Sequence, residues 1–171
     1  DAKLSIVIDK ANGDFLKLQG EAQLTGGIDP SGKTTLVGTY EVKKGAYEMS
    51  VNVLKCKFEI EDGSTIIWTG EPTKADVNIT AIYKTKTAPL DLLQQQLTTL
   101  AASDLNQYKQ QIPFETLLMM KGELLKPIIT FDIKLNDENP TVSSEVITNV
   151  NAKLDQLRTE ESELNKQVFA L

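Results

Sequence analysis

The chain has 171 residues, 40% of them hydrophobic and 25% charged, enough for one large domain or two small ones around a real core. A net charge of −6 and a pI near 4.8 argue against nucleic acid or an anionic membrane surface as partner, since both demand basic patches. With no His and a single Cys, the sequence lacks the usual base at neutral pH, an internal disulfide and any CxxC redox or metal motif.

In chain order, turn signals at Asn12-Gly13-Asp14, Gly26-Gly27, Asp29-Pro30-Ser31-Gly32, Lys44-Gly45, Asp62-Gly63-Ser64 and Gly70-Glu71-Pro72 punctuate extended segments. Strands are expected near 3–9, 15–25, 34–43, 46–54, 56–61, 65–69 and 76–84. Leu36, Tyr40 and Val42 form one alternating run; Tyr47, Met49, Val51 and Val53 form the next. Cys56, Phe58 and Ile60, then Val77, Ile79, Ala81 and Tyr83, continue the pattern against polar neighbours. Successive strand residues point to opposite faces, so each run has one apolar and one wet face. Cys56 falls on the apolar side and reads as a small packed thiol, because no His is present to activate it.

After Pro89 the composition turns to Leu, Gln and Ala, with Leu92, Leu93, Leu97 and Leu100 at helical spacing. One or two short helices are expected within 90–111, broken near Ser103-Asp104, where either residue could cap. Strand character returns from Phe114, and Ile129, Phe131, Ile133 and Leu135 alternate with Thr130, Asp132 and Lys134. After a polar break at Asn136 to Pro140, a helix is expected from about Ser143 through Leu157, with Val146, Val150, Leu154 and Leu157 on one stripe. Glu160, Glu161 and Glu163 suit the first turn of a final helical stretch.

No run approaches the roughly 18 apolar residues of a membrane span, and no signal peptide is visible. Lacking an initiator Met and ending on Val168, Phe169, Ala170 and Leu171, the sequence reads as an excised piece of a longer protein.

Gly27 to Thr34 satisfies the phosphate-loop pattern G-x-x-x-x-G-K-[ST]. That loop works by aiming backbone N–H groups and a helix N-terminus at phosphates. Here the exit, Thr34 to Tyr40, is β-branched, alternating and interrupted by Gly38, so a hairpin turn is expected and no nucleotide site. Asn78-Ile79-Thr80 matches a glycosylation sequon but lies inside a strand pattern. Glu59, Glu61 and Asp62 read as a solvated strand end, and Met119-Met120 as core or groove lining. No nucleophile–base pair, metal spacing or cofactor motif stands out, so the chain is expected to be no enzyme and to need no cofactor.

The middle of the chain carries a more specific pattern. Gly45-Ala46-Tyr47 is followed by Phe58-Glu59-Ile60-Glu61-Asp62-Gly63-Ser64-Thr65-Ile66, Trp68-Thr69-Gly70-Glu71-Pro72 and Ala75-Asp76-Val77-Asn78-Ile79-Thr80-Ala81. Gly122-Glu123-Leu124-Leu125-Lys126-Pro127-Ile128-Ile129-Thr130-Phe131-Asp132-Ile133 follows. This order resembles the conserved C-terminal domain of TamB, of the translocation and assembly module, most strongly over 34–135. The insert from Leu90 to Pro113 and the late helix are most similar to Bacteroidota versions.

The resemblance implies a mainly β fold: a curled, solenoid-like antiparallel sheet, the β-taco half-pipe, over 1–140, with a helical insert near 90–111 and a helical segment over 141–171. It implies a periplasmic setting in a diderm bacterium, an inner-membrane anchor elsewhere in the full-length protein, and an outer-membrane barrel partner of the Omp85 type. The expected apolar lining is Tyr47, Met49, Val51, Val53, Phe58, Ile60, Trp68, Val77, Ile79, Ala81, Ile129, Phe131 and Ile133, open along at least one side. Its cargo is expected to be phospholipid acyl chains in transit between membranes. The rival is β-strands of unfolded outer-membrane or autotransporter proteins held by strand addition, and a plain β-sandwich is the bland alternative.

Overall fold

The computed structural model describes residues 1–51, 54–93, 102–136 and 142–170. Eight strands form one antiparallel-paired sheet: β1 Ala2–Asp9, β2 Asp14–Ile28, β3 Thr34–Val51, β4 Leu54–Ile60, β5 Thr65–Gly70, β6 Ala75–Thr87, β7 Ile112–Glu123 and β8 Ile128–Leu135. Their order is β1-β2-β3-β4-β6-β7-β8, with β5 paired to β3 and β6. The order has two ends, so the curled sheet is not a closed barrel, and the expected mainly β fold with short helices is what forms.

Two compact units divide the chain, one of residues 1–82 and 118–130, the other of 83–117 and 131–171. The first unit is built from strands alone. Its β2 and β3 run the length of the hairpin, from Phe15 opposite Glu48 to Ile28 opposite Thr34. On the other edge of β3, Leu36 to Glu41 pair with β5, and Ala46 to Val51 pair with β4. The hairpin tip is the expected turn: the Gly32 N–H donates to the Asp29 carbonyl, and the Asp29 carboxylate accepts from the N–H groups of Ser31 and Lys33. The Ser31 hydroxyl, followed by these backbone donors, holds the Asp29 carboxyl below its ordinary range. The chain leaves the tip as β3, a strand.

Two expectations need correction. The segments 34–43 and 46–54 are not separate strands joined by a turn at Lys44-Gly45; β3 runs through as one strand to Val51. Gln19 faces Lys44 while Gly20 faces Val42, so Lys43 is an extra residue, a β-bulge. The extra residue flips the alternation, which in the sequence looks like a break between strands. Gly45 serves close approach instead of a turn, since a Cβ there would sit 2.5 Å from the Lys17 carbonyl oxygen. The second correction concerns capping near Ser103-Asp104, where a short helix, Ala102–Leu105, includes both residues and so is capped by neither. Leu97, Leu100 and most of the Asn136–Pro140 break lie outside the described residues.

The second unit adds helices to the ends of β6, β7 and β8. They are α1 (Pro89–Leu93), α2 (Ala102–Leu105), a 3-10 turn (Asn106–Lys109), α3 (Ser144–Arg158) and α4 (Glu161–Ala170). Ser143 caps α3, its hydroxyl accepting from the Val146 N–H, and the helix begins and ends within a residue or so of expectation. Its predicted stripe, Val146, Val150, Leu154 and Leu157, is buried in one cluster with Leu93, Tyr108, Ile112, Phe114 and Ile133. Each such side chain contributes roughly 1.5–3 kcal/mol of apolar burial, far more than helix propensity supplies. Polar contacts fix the helix against its neighbours: the Asn149 amide donates to the Tyr108 hydroxyl at 2.6 Å, and Arg158 pairs with Asp132 of β8 at 2.9 Å and donates to the Ile133 carbonyl.

Candidate functional site

The register assigns faces directly, because residues opposite one another in neighbouring strands share a face. Ile6 lies opposite Leu16, Leu16 opposite Tyr47, and Tyr47 opposite Phe58. A second row runs from Ala22 through Tyr40 and Ile66 to Val77, and a third from Leu24 through Gly38 and Trp68 to Ala75. Ile60 faces Ala81, and Met49 faces Cys56. One apolar face therefore crosses β1 to β6, and the bulge at Lys43 keeps both halves of β3 on it.

Of the predicted lining, Tyr47, Met49, Phe58, Ile60, Trp68, Val77, Ile79 and Ala81 all lie in the first unit, buried except for the half-buried Met49. Ile129 is half-buried in the same unit. Phe131 and Ile133 belong to the second unit: Phe131 stacks edge-to-face on Phe169 at 5.4 Å, and Ile133 is packed under the helices. Val53 lies outside the described residues, and of Val51 only the strand position is described. The predicted lining omitted Leu4, Ile6, Leu16, Leu18, Leu24, Ile28 and Ile66. The alternation of Leu16, Leu18, Ala22 and Leu24 along β2 was the signal for three of them.

Polar atoms near this face are satisfied. The Trp68 indole donates to the Pro72 carbonyl at 3.0 Å, and the Tyr40 hydroxyl reaches across β2 to the Ala2 carbonyl. Asp14, at the start of β2, accepts from the Ser50 N–H at 2.8 Å and so holds the far end of β3. Burial, helped by the carboxylates of Asp14 and Asp9, pushes the Tyr47 phenol up to about 12. These groups fasten strands, and the face they leave is lined by apolar side chains.

Burial along the face is uneven. It is closed around Tyr47, Phe58 and Trp68, half open along Leu4, Ile6 and Ile8 of β1, and open at the far end of the β2–β3 pair. There Leu24 is 38% exposed and Ile28 77% exposed.

The family model of the TamB C-terminal domain matches residues 1–171, the whole chain. The chain belongs to the TamB C-terminal domain family. No curated protein and no solved structure matches it. Membership gives the chain a TamB-like role in the translocation and assembly module, a system of the periplasm of diderm bacteria that works with an Omp85-type outer-membrane partner. Among the described residues, no helix is long and apolar enough to cross a membrane.

Proposed function

We propose that the apolar face of the first unit shelters phospholipid acyl chains passing between the inner and outer membranes. One observation carries this reading: the face continues, through the bulge at Lys43, from the closed stretch at Tyr47 and Trp68 to the exposed Leu24 and Ile28. A core built only to pack on itself has no use for the open end. Open aliphatic surface takes up a hydrocarbon chain at roughly 0.8 kcal/mol per methylene without polar contacts. Weak, repeated contacts of this kind suit a path better than a store. In the full-length protein, an inner-membrane anchor and the outer-membrane barrel would set the two ends of that path. The role is non-enzymatic.

Native mass spectrometry of the chain, expressed in a diderm host with a secretion signal, tests the reading. Phospholipid adducts are expected, and Leu24→Glu with Ile28→Glu should remove them while the fold persists. A protein that carries no lipid, or carries it equally well after both substitutions, contradicts the proposal.

The rival, strand addition for outer-membrane protein assembly, has one observation in its favour. β1 stands at an end of the strand order and, among the described residues, pairs only with β2, so its outer edge offers backbone groups to an incoming strand. A captured polypeptide in place of lipid in the same spectra would favour it.

A further inference from the structure

The face opposite the apolar rows carries a feature at odds with the acidic chain. A cavity of about 710 Å³ opens over β1 to β4. The register shows which face it is on. Lys3 lies opposite Gln19 and Gln19 opposite Lys44; Ser5 lies opposite Lys17, Lys17 opposite Ala46, and Ala46 opposite Glu59. All of these line the cavity, and all alternate with the apolar residues, so they stand on the polar face. Between the two rows run Leu4, Leu18 and Gly45, consecutive partners that also line it, as does Ile60. Lys57, two residues before Glu59 on β4, adds a fourth lysine.

Four lysines thus surround one depression against a single lining carboxylate, Glu59, in a chain of net charge −6. Among the described residues, none of the four is ion-paired; the Lys17 ammonium instead lies 5.1 Å from the Phe15 ring centroid. Lys43, next to the cluster, is by contrast paired with Glu41 at 2.7 Å. Four like charges placed together are mutually repulsive, an arrangement that a bound anion relieves. A lysine ammonium is a compact point charge with three donors, suited to phosphate oxygens. The volume is in the range of small-ligand sites.

The geometry points to a binding site for a phosphate-bearing anion on the polar face of β1 to β4, formed by Lys3, Lys17, Lys44 and Lys57. It does not rest on the acyl-chain reading, since it uses the opposite face and different residues. Two sources share the chemistry: free phosphate, or the phosphate of a glycerophospholipid headgroup.

Two-dimensional amide NMR of the chain distinguishes them. Inorganic phosphate and dihexanoyl phosphatidylglycerol below its micellar concentration are titrated separately, with an oligoglutamate peptide as a third probe. Saturable shifts confined to residues 3–5, 17–19, 44–46 and 57–59 are expected, and Lys17→Gln with Lys44→Gln should weaken them at least about tenfold. Both lysines are exposed, so the variant keeps its fold, and its unshifted remaining amides verify that. Saturation by phosphate alone assigns a free-anion site; saturation only by the lipid assigns a headgroup site. Shifts spread over all lysines, no saturation with either phosphate compound, or saturation by oligoglutamate alone would overturn the proposal.

Discussion

Single residues in the first unit carry costs that can be measured. Tyr47 is buried beside two carboxylates, and its phenol titrates near 12 instead of its ordinary 10. The folded pKa lies above the unfolded one, so the stability this tyrosine contributes is complete below pH 10 and is lost as pH rises toward 12. The loss amounts to at most about 3 kcal/mol, each pKa unit being worth about 1.4. Denaturant titrations at pH 8 and pH 11.5 should show it, and Tyr47→Phe should flatten that part of the profile. Gly38 is a second case. It holds φ at +139°, and a Cβ there would sit 1.9 Å from the Gln23 carbonyl oxygen, within the β2–β3 pairing. Gly38→Ala should therefore lower stability by about 3 kcal/mol or more, or abolish folding. Gly13→Ala meets no atom within 4 Å and has only its φ of +76° to strain, so it should cost only about 1 kcal/mol.

At the scale of elements, α3 answers in the second unit the question of what covers an apolar sheet face. Leu154 is buried among Ile133, Phe114 and Tyr108 of the same cluster, and Leu154→Ala should destabilise the unit by about 2–5 kcal/mol. Hydrogen exchange should then accelerate through α3 and the second half of β8. Loss of the cap by Ser143→Ala should cost about 1 kcal/mol, read as a shift in denaturation midpoint. α3 was fully legible in the sequence, because its stripe, its cap and the polar break before it all agree. The strands of β4 to β6 were legible for the same reason: alternation and turn residues coincide at Asp62-Gly63 and Gly70-Glu71-Pro72. β3 was not. A bulge shifts the alternation by one residue just as a turn would, and nothing in Val42-Lys43-Lys44-Gly45 distinguishes the two without the partner strand. The lysine cluster was equally hidden, since Lys3, Lys17, Lys44 and Lys57 come together only through pairing of four strands.

At the scale of the whole molecule, membership of the TamB C-terminal domain family and the sheet it predicts agree. The predicted lining was legible as a set of apolar alternations. Its division was not: Phe131 and Ile133 pack in the helical unit, while the other described lining residues lie in the first. In the first unit the apolar face is closed at Tyr47 and Trp68, half open at Met49 and open toward Leu24 and Ile28, so the proposed function places cargo contact at the half-open and open stretches. A charge at the closed end has no water to reach, and Ile79→Arg should unfold the unit. At Leu24, an arginine can extend to solvent, so Leu24→Arg should fold normally. The most direct test places a photo-crosslinking amino acid, one at a time, at Leu24, Ile28 and Met49 on the apolar face, and at Gln23 and Thr39 on the polar face. After irradiation in living diderm cells, phospholipid should be attached at the first three positions and absent from the other two. Equal labelling of both faces, or labelling of neither, would contradict an apolar face that shelters lipid.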